Sequence, residues 1–344
     1  MIFALANYLN RGGCPVLTPK ENFLLATVEH KIPEWIPNEF TDVIMAGGAF
    51  ETFENGPFGG GPDGFGVTWH GTRSAGGQPV PAGKPPLDDI TAWEDVVTFP
   101  DLDAYDWEGQ AAMQLAGQDR SQKAVEYGCW NAPFLRLTHL LGFENALCAM
   151  MEEPEASEAL LTAITDYKIR LVERVAKYFK PDIITQFDDV ATERGLFMSP
   201  KTYRALIKPQ HKRFNDAVKA HGIIPFNHTC GRCEEIIADY IDEGAYAWSA
   251  AQPMNDIVAI QEKYSDKIAV IGGYNTNGRP GLEAATNEEI DAEVKRVIET
   301  YGPRGSFAFM GFRLMASDDP MAIFTGLAPI NAAVEKYGRN FYKK

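Results

Sequence analysis

The feature that most constrains the fold is a regular alternation of short apolar runs with amphipathic stretches of helical length, beginning near residue 125. Five apolar runs have the length of buried strands: 183–187, 223–227, 245–249, 268–272 and 306–310. Five further stretches carry apolar residues at three- and four-residue spacing: 200–220, 232–243, 256–264, 288–301 and 320–337. Strands that alternate with helices in this way predict an α/β fold with a parallel sheet.

A closed barrel fits this pattern better than a doubly wound sheet. No G-x-G-x-x-G follows the early strands and no G-x-x-x-x-G-K-[ST] occurs, so the phosphate-binding loops of the dinucleotide and P-loop folds are missing. A chain of 344 residues suits one (β/α)8 TIM barrel. We therefore predict a single barrel domain over residues 1–344, with residues 1–120 as an N-terminal extension and cap.

This extension is crowded with Gly and Pro between residues 47 and 86, which predicts irregular structure with short strands such as 66–70. A helix beginning near residue 20 is expected to end at Pro33, since proline cannot continue the hydrogen-bond ladder. Long loops inside a compact domain are commonly functional. We expect this one to cover the C-terminal face of the barrel; the alternative is an insertion without a function. Its interleaved aromatic residues are Phe50, Phe53, Phe58, Phe65 and Trp69.

Charge excludes several classes of partner. The chain has 47 acidic and 32 basic residues, a net charge of −15. Binding to nucleic acid or to an anionic membrane requires a basic surface, so neither is expected. The five cysteines are few and odd in number, and no leader or membrane-spanning segment is recognised, which predicts a cytoplasmic protein without a disulfide framework.

The strongest candidate site is NHTCGRC, residues 227–233, at the C-terminal end of a predicted strand. His228 and Cys230 are two residues apart, so on an extended strand end their side chains point the same way. Imidazole and thiolate suit Zn²⁺, and Cys233 in the first turn of the next helix adds a second sulfur. The alternative is a packed cysteine pair beside a core histidine.

A second candidate site, QFDDVATERG, follows the preceding strand and should lie beside the first. It offers Asp188, Asp189 and Glu193 for acid–base chemistry or as metal ligands. The alternative is a helix cap and a loop ion pair. Weaker candidates at other strand ends are Asn275 and Met310, as substrate contacts or plain loop and core residues.

The order of the motifs FDDVATERGLFMSPKTYRALIKP, HTCG, GG and a final DDP resembles that of the uroporphyrinogen decarboxylase superfamily, over essentially the whole chain. The resemblance implies a (β/α)8 barrel with its site at the strand C-terminal ends. Decarboxylases of this superfamily bind propionates through an N-terminal arginine cluster, whereas Arg11 stands alone here. The chain is more similar to the cobalamin-dependent methyltransferase branch, whose H-x-C zinc motif His228 and Cys230 match.

This resemblance implies an O-demethylase, which takes the methyl group of a methoxylated aromatic and passes it to the Co(I) corrinoid (cobalamin) of a partner protein. Zinc would polarise the ether oxygen, or Asp188 or Glu193 would protonate it. Members of the branch that act on thiol cofactors have a further zinc cysteine near the last strand, which FMGFRLMASDDP lacks. The third ligand is therefore open among Cys233, Glu193, Asp188 and Asp189. The implied substrate contacts are Phe50, Phe53, Phe58, Trp69, Asn275 and Met310.

Three other functions remain open at this stage. One is a metal-free decarboxylase of a small aromatic or pyrrole acid. Another is a methyltransferase with a methylamine or thioether donor. The last is a non-enzymatic barrel that binds a ligand or a corrinoid protein as a regulator.

Overall fold

The computed structural model of the chain describes residues 17–48, 52–57, 59–72, 79–316 and 322–343. Its strands are β1 Val43–Gly47, β2 Gly61–Pro62, β3 Thr68–His70, β4 Val80–Pro81, β5 Ala124–Cys129, β6 Ile183–Phe187, β7 Ala191–Thr192, β8 Gly195–Leu196, β9 Ile224–His228, β10 Ala247–Ala251, β11 Ala269–Gly273 and β12 Phe307–Met310. Its α-helices are α1 Pro19–Thr27, α2 Glu39–Asp42, α3 Thr52–Asn55, α4 Trp93–Val96, α5 Trp107–Gln114, α6 Pro133–Leu141, α7 Phe143–Glu152, α8 Pro154–Tyr178, α9 Pro200–Thr202, α10 Lys208–Ala220, α11 Ile237–Asp242, α12 Ile257–Tyr264, α13 Asn287–Tyr301 and α14 Ala322–Gly338.

Seven parallel strands form the main sheet, in the order β1-β5-β6-β9-β10-β11-β12. Neighbours in the sheet are therefore also successive in the chain among these seven, as in a singly wound barrel. Helices connect the strands and cover the outer face, where one large apolar core lies between sheet and helices. The predicted α/β class with a parallel sheet is confirmed.

The sheet curls around a common interior. A second apolar cluster takes at least one fully or almost fully buried residue from each of the seven strands, and its centre includes Phe23 of α1. Strands can meet at such a cluster only if the sheet bends back on itself. Phe23 is wholly buried, so α1 fills the end of the barrel at which the strands begin. The strand C-termini lie at the opposite end.

The structure differs from the prediction of eight strands in a closed barrel. Among the described residues the sheet has seven strands, and the only pairing seen across the gap between β12 and β1 is a single parallel bridge from Asn38 to Phe309. Pro37 accepts a hydrogen bond from the N–H of Phe309 at 2.7 Å, after which the chain turns into α2. One turn of helix thus stands where a further strand was expected.

The five predicted strands are present, each within two residues of its expected start. Two strands of the sheet, β1 and β5, were missed, and β1 lies within residues 1–120, which therefore contribute to the barrel itself. The first helix ends at Thr27 rather than Pro33, because the chain reverses at His30, whose φ is +54°. None of the described helices has the length and apolarity needed to cross a bilayer.

The Gly/Pro-rich segment forms a small antiparallel sheet, β2-β3-β4, held to the barrel helices by a buried ion network. Arg136 of α6 pairs with Asp63 at 2.8 Å and with Glu54, and its guanidinium lies 4.0 Å from the ring centre of Phe65. Lys168 of α8 also reaches Glu54, at 2.5 Å. All four charged side chains are buried, so this network fixes the segment against α6 and α8.

Candidate metal centre

Three side chains of different chemistry converge where β6 and β9 end. One ligand atom each of Asp189, His228 and Cys230 lies within 4.8 Å of the other two. The Sγ atom of Cys230 lies 3.5 Å from Nε2 of His228, and the N–H of Cys230 donates to Oδ1 of Asp189 at 2.7 Å. Oxygen, nitrogen and sulfur donors at this spacing suit Zn²⁺. The two sites predicted separately from the sequence are thus one site.

Strand register explains why these residues meet. Phe187, the last residue of β6, pairs with His228, the last residue of β9, and their rings stack with centres 4.2 Å apart. Beyond the strands, the N–H of Asp188 donates to the carbonyl of His228, and the Thr229 hydroxyl donates to the carbonyl of Asp188. These bonds hold the two strand ends together, so Asp189 and Cys230 follow at neighbouring positions.

The second nitrogen of His228 has its own partner. Nδ1 lies 3.0 Å from the hydroxyl of Ser249, which pairs with His228 across β9 and β10. This contact leaves Nε2 facing Cys230, and a fixed orientation of this kind is what metal-ligating histidines require. Ser249 was missed in the sequence, although it ends the predicted strand next to that of His228.

Burial sets the charges of this cluster. Burial lowers the pKa of His228, and Asp189 opposes that shift only in part, so the imidazole is neutral and able to bind a cation. Burial and the charge of Asp189 raise the pKa of the Cys230 thiol well above its usual range. A divalent cation would reverse the shift of the thiol by supplying the missing positive charge. The donor set therefore fits a zinc ion.

The loop that carries Cys230 passes unusually close to the β7–β8 hairpin. Gly231 has a φ of +88°, and a Cβ added there would lie 2.6 Å from the carbonyl oxygen of Thr192. The same carbonyl accepts a hydrogen bond from the N–H of Arg232 at 2.7 Å, and Gln252 accepts one from the N–H of Gly231. Only glycine fits this approach without a shift of the backbone.

Two of the predicted ligands lie elsewhere. Cys233 is fully buried in the apolar core, and its N–H donates to Asn255, because a 3-10 turn at Glu234–Ile236 replaces the helical start predicted at 232. Glu193 is exposed at the tip of the β7–β8 hairpin. In the part of the chain that the structure describes, the three-donor cluster contains neither of them.

Asp188 is engaged in structure rather than left free for chemistry. Its carboxylate accepts the N–H groups of Phe134 and Leu135 at the start of α6, and it lies 2.7 Å from Nε2 of His211. Burial would lower the pKa of His211, but Glu243 and Asp188 outweigh it and raise that pKa to about 9. Asp188 is thus one side of a buried ion pair that anchors α6 and α10 behind the cluster.

The predicted substrate contacts are scattered. Phe50 and Phe58 lie outside the described residues. Phe53 packs against Tyr105 and Trp107, while Trp69 is buried beside His139 and donates to Asp63. The ring contacts of Phe53 and Trp69 and the hydrogen bond of Trp69 are therefore with the N-terminal segment and α6.

Two other predicted contacts follow β11 and β12. The N–H of Asn275 donates to Glu293. Met310 is half-buried and packs against the barrel interior. Met310 is therefore the predicted contact whose packing places it on the inner side of the barrel.

Comparisons with known proteins agree with this architecture. A family profile described as uroporphyrinogen decarboxylase (URO-D) matches residues 80–321. A solved methyltransferase from Methanosarcina mazei is similar with a TM-score of 0.62 and 16% sequence identity, over 98% of this chain and 91% of that one. Xylanase B from Clostridium stercorarium F9 gives a TM-score of 0.38 and 11% identity, over 60% of this chain and 71% of that one, too low to indicate a shared fold. No curated protein sequence matches the chain.

Proposed function

The chain belongs to the uroporphyrinogen decarboxylase family, and from that premise we propose that it is a zinc- and corrinoid-linked methyltransferase that demethylates an aryl methyl ether. The methyl group passes to the corrinoid of a partner protein, and a phenol is released. Similarity to a structure named as a methyltransferase supports methyl transfer over decarboxylation. The start LNRGGCPVLTPKENF, in which Arg11 is the one arginine, also argues against a substrate with many carboxylates.

The observation that carries the proposal is the Asp189, His228 and Cys230 cluster. These residues would hold the metal, with Ser249 orienting His228. A zinc ion bound by a single thiolate supplies Lewis acidity toward an ether oxygen, because fewer sulfur ligands leave the metal less electron-rich. The choice of Asp189 as third ligand follows from the cluster, in place of Cys233 or Glu193.

The barrel itself has to neutralise the leaving group and orient the substrate. A phenoxide leaves poorly unless its charge is neutralised as it forms. The methyl acceptor sits on another protein, so it reaches the substrate from the C-terminal end of the strands, and the methyl group faces outward. The oxygen and the aromatic ring then point inward, toward Met310. Phe53, Trp69 and Asn275 stay predicted contacts of the substrate.

The test begins with metal analysis of the purified protein and of the single variants Asp189→Ala, His228→Ala and Cys230→Ala. We expect about one zinc per chain in the native protein, as for a mononuclear site, and its loss in all three variants. The exposed His70 supplies a matched control, His70→Ala, which should keep the metal.

Activity is then assayed with a reduced corrinoid protein and a panel of methoxyphenols, following the methylated corrinoid and the phenol. Methyl transfer that requires zinc supports the proposal. Full activity without metal would overturn the zinc assignment, and carbon dioxide release without any corrinoid would replace the proposal with the decarboxylase hypothesis.

A further inference from the structure

Two glutamates lie inside the barrel, below the candidate metal centre. Glu126 is the third residue of β5 and shares its inner face with Ala124, a member of the interior cluster; it is 1% exposed. Glu39 follows Asn38, whose bridge to Phe309 holds this part of the chain along β12, and it is 3% exposed. Carboxyl groups are almost never fully buried without a cationic partner.

Among the described residues, each of these carboxyl groups has one oxygen without a hydrogen-bond partner. The Thr185 hydroxyl donates to Oε1 of Glu126 at 2.6 Å, but Oε2 of Glu126 and Oε2 of Glu39 are both buried and unpaired. If both carboxyl groups were ionised here, each would lose the hydration of its charge, and the two charges would repel each other. The protonated form of the carboxyl groups is therefore favoured. Burial raises the pKa of Glu126 to about 7, and burial together with Glu126 raises that of Glu39 further from its usual value.

The backbone of Glu126 pairs with Ile183, four residues before Phe187, and its carboxyl group reaches Thr185, one layer of side chains below the candidate metal ligands. Thr185 precedes Phe187 by two residues on β6, so both face the interior, and Phe187 stacks on His228. Two residues along a strand correspond to roughly 6.6 Å. Met45, which pairs with Glu126 and shares the inner face of β1 with Val43, is 39% exposed, so open space borders the inner face at this level.

Building on the proposed function, we propose that Glu126, supported by Glu39, is the acid that protonates the leaving oxygen of the methyl ether. The methyl carbon would pass to the reduced corrinoid of the partner, which supplies the electron pair for the new bond, while the C–O bond breaks and its own electron pair stays on the oxygen. The O–H proton of Glu126 goes to that oxygen and gives the phenol. Glu126 is left as a carboxylate beside protonated Glu39 and regains its proton from water after the phenol departs.

Direction of attack favours this assignment over the acids expected from the sequence. The acceptor approaches from the open end, and in a displacement the leaving group lies opposite the nucleophile, so the oxygen points to the barrel interior. Asp188 is committed to His211 and to the start of α6, and Glu193 is exposed on the hairpin tip. Glu126 faces the interior, and among the described residues Glu39 is the titratable group that interacts with it there.

The first experiment asks whether the pair holds a proton, independently of any turnover. The infrared band of a protonated carboxyl is measured well below and well above the pKa of about 7 of Glu126, in the native protein and in Glu126→Gln, Glu39→Gln and the exposed control Glu158→Gln. We expect a band that titrates in the native and control proteins and is diminished in both interior variants. A spectrum that Glu126→Gln leaves unchanged overturns the proposal.

The second experiment uses substrates that differ in their need for an acid. With methoxyphenols, Glu126→Gln should lower kcat by about 10²- to 10⁴-fold while zinc content stays at the native level. With a nitro-substituted methoxybenzene, whose phenoxide leaves readily, the loss should be far smaller. An equal loss with both substrates, or none, overturns the acid role alone; failure of the native protein to demethylate any aryl ether overturns the proposed function itself. If Glu126→Gln does not fold, Glu39→Gln is put through the same comparison.

Discussion

Nε2 of His211 lies 2.7 Å from Oδ2 of Asp188, and Asp188 directly precedes the candidate ligand Asp189 in the chain. This buried ion pair joins α10 to the strand end that carries the ligand. The other ring nitrogen of His211 lies 3.1 Å from the hydroxyl of Tyr203 and 3.5 Å from Glu243. The candidate metal centre therefore rests on a buried network contributed by the continuous helical stretch 200–220 and by Glu243 at the end of α11.

The charge of His211 makes stability depend on pH. Its pKa is raised to about 9 in the folded chain from an ordinary 6.5, so its contribution is fully present below pH 6.5 and is lost as the pH rises through 9. We expect the free energy of unfolding to fall by up to about 3 kcal/mol across this window. Urea unfolding at several pH values measures it. His211→Gln should lack the decline and the exposed control His70→Gln should keep it; equal slopes in all three proteins would contradict the prediction.

Zinc affinity distinguishes Asp189 from Cys233 as the third ligand. Because Cys233 packs in the apolar core and is not one of the three clustered donors, Cys233→Ala should retain zinc with native affinity. Asp189→Ala should weaken binding by at least the roughly 10- to 100-fold that loss of a supporting contact costs at metal sites. Competition with a chromophoric chelator gives both values. Retention by Asp189→Ala together with loss in Cys233→Ala would reverse the assignment.

The close approach at Gly231 is tested by comparing two alanine substitutions. Gly231 and Gly222 both have positive φ, +88° and +72°, but a Cβ at Gly222 meets no atom within 4 Å. Each substitution should cost about 1–2 kcal/mol from the left-handed backbone. Only Gly231→Ala should also displace the loop that carries Cys230, and so reduce zinc affinity. Thermal unfolding and chelator competition on both variants separate the two effects.

Removal of Arg136 should destabilise the protein far more than removal of a surface arginine. Arg136→Met leaves Asp63 without its buried cation and Glu54 with Lys168 alone. We expect a loss of about 3–5 kcal/mol in the free energy of unfolding. Arg174→Met removes a pair with the largely exposed Asp103 and should cost at most about 1 kcal/mol. Denaturant unfolding of the two variants provides the comparison, and similar losses would count against a structural role for the network.

The sequence predicted β6 to the residue and missed β5 entirely, and the difference has a physical cause. The run 183–187, IITQF, has three apolar residues and no charged one, so the local pattern is enough to predict a buried strand. β5 contains Glu126, a residue that pattern analysis assigns to the surface. Its burial depends on Thr185 and Glu39, which are remote in sequence and meet it only once the barrel has formed.

The candidate site could likewise be predicted only in part from the sequence. Parallel strand ends meet at one edge, so the proximity of residues 188–189 to residues 228–230 could be predicted from topology alone. The choice between Asp188 and Asp189 could not be predicted, because the carboxylate of Asp188 bonds to the start of α6 and to His211, which are remote in the sequence. The position of Cys233 in the core could not be predicted either, because a 3-10 turn follows it where the sequence predicted a helix.

Phe23 has a consequence for the order of events during turnover. By filling the end of the barrel where the strands begin, it leaves the strand C-termini as the passage to the interior. A partner that docks over that passage also closes it. Under the proposed function, the small molecule would therefore have to bind before the partner docks and could depart only after the partner has left.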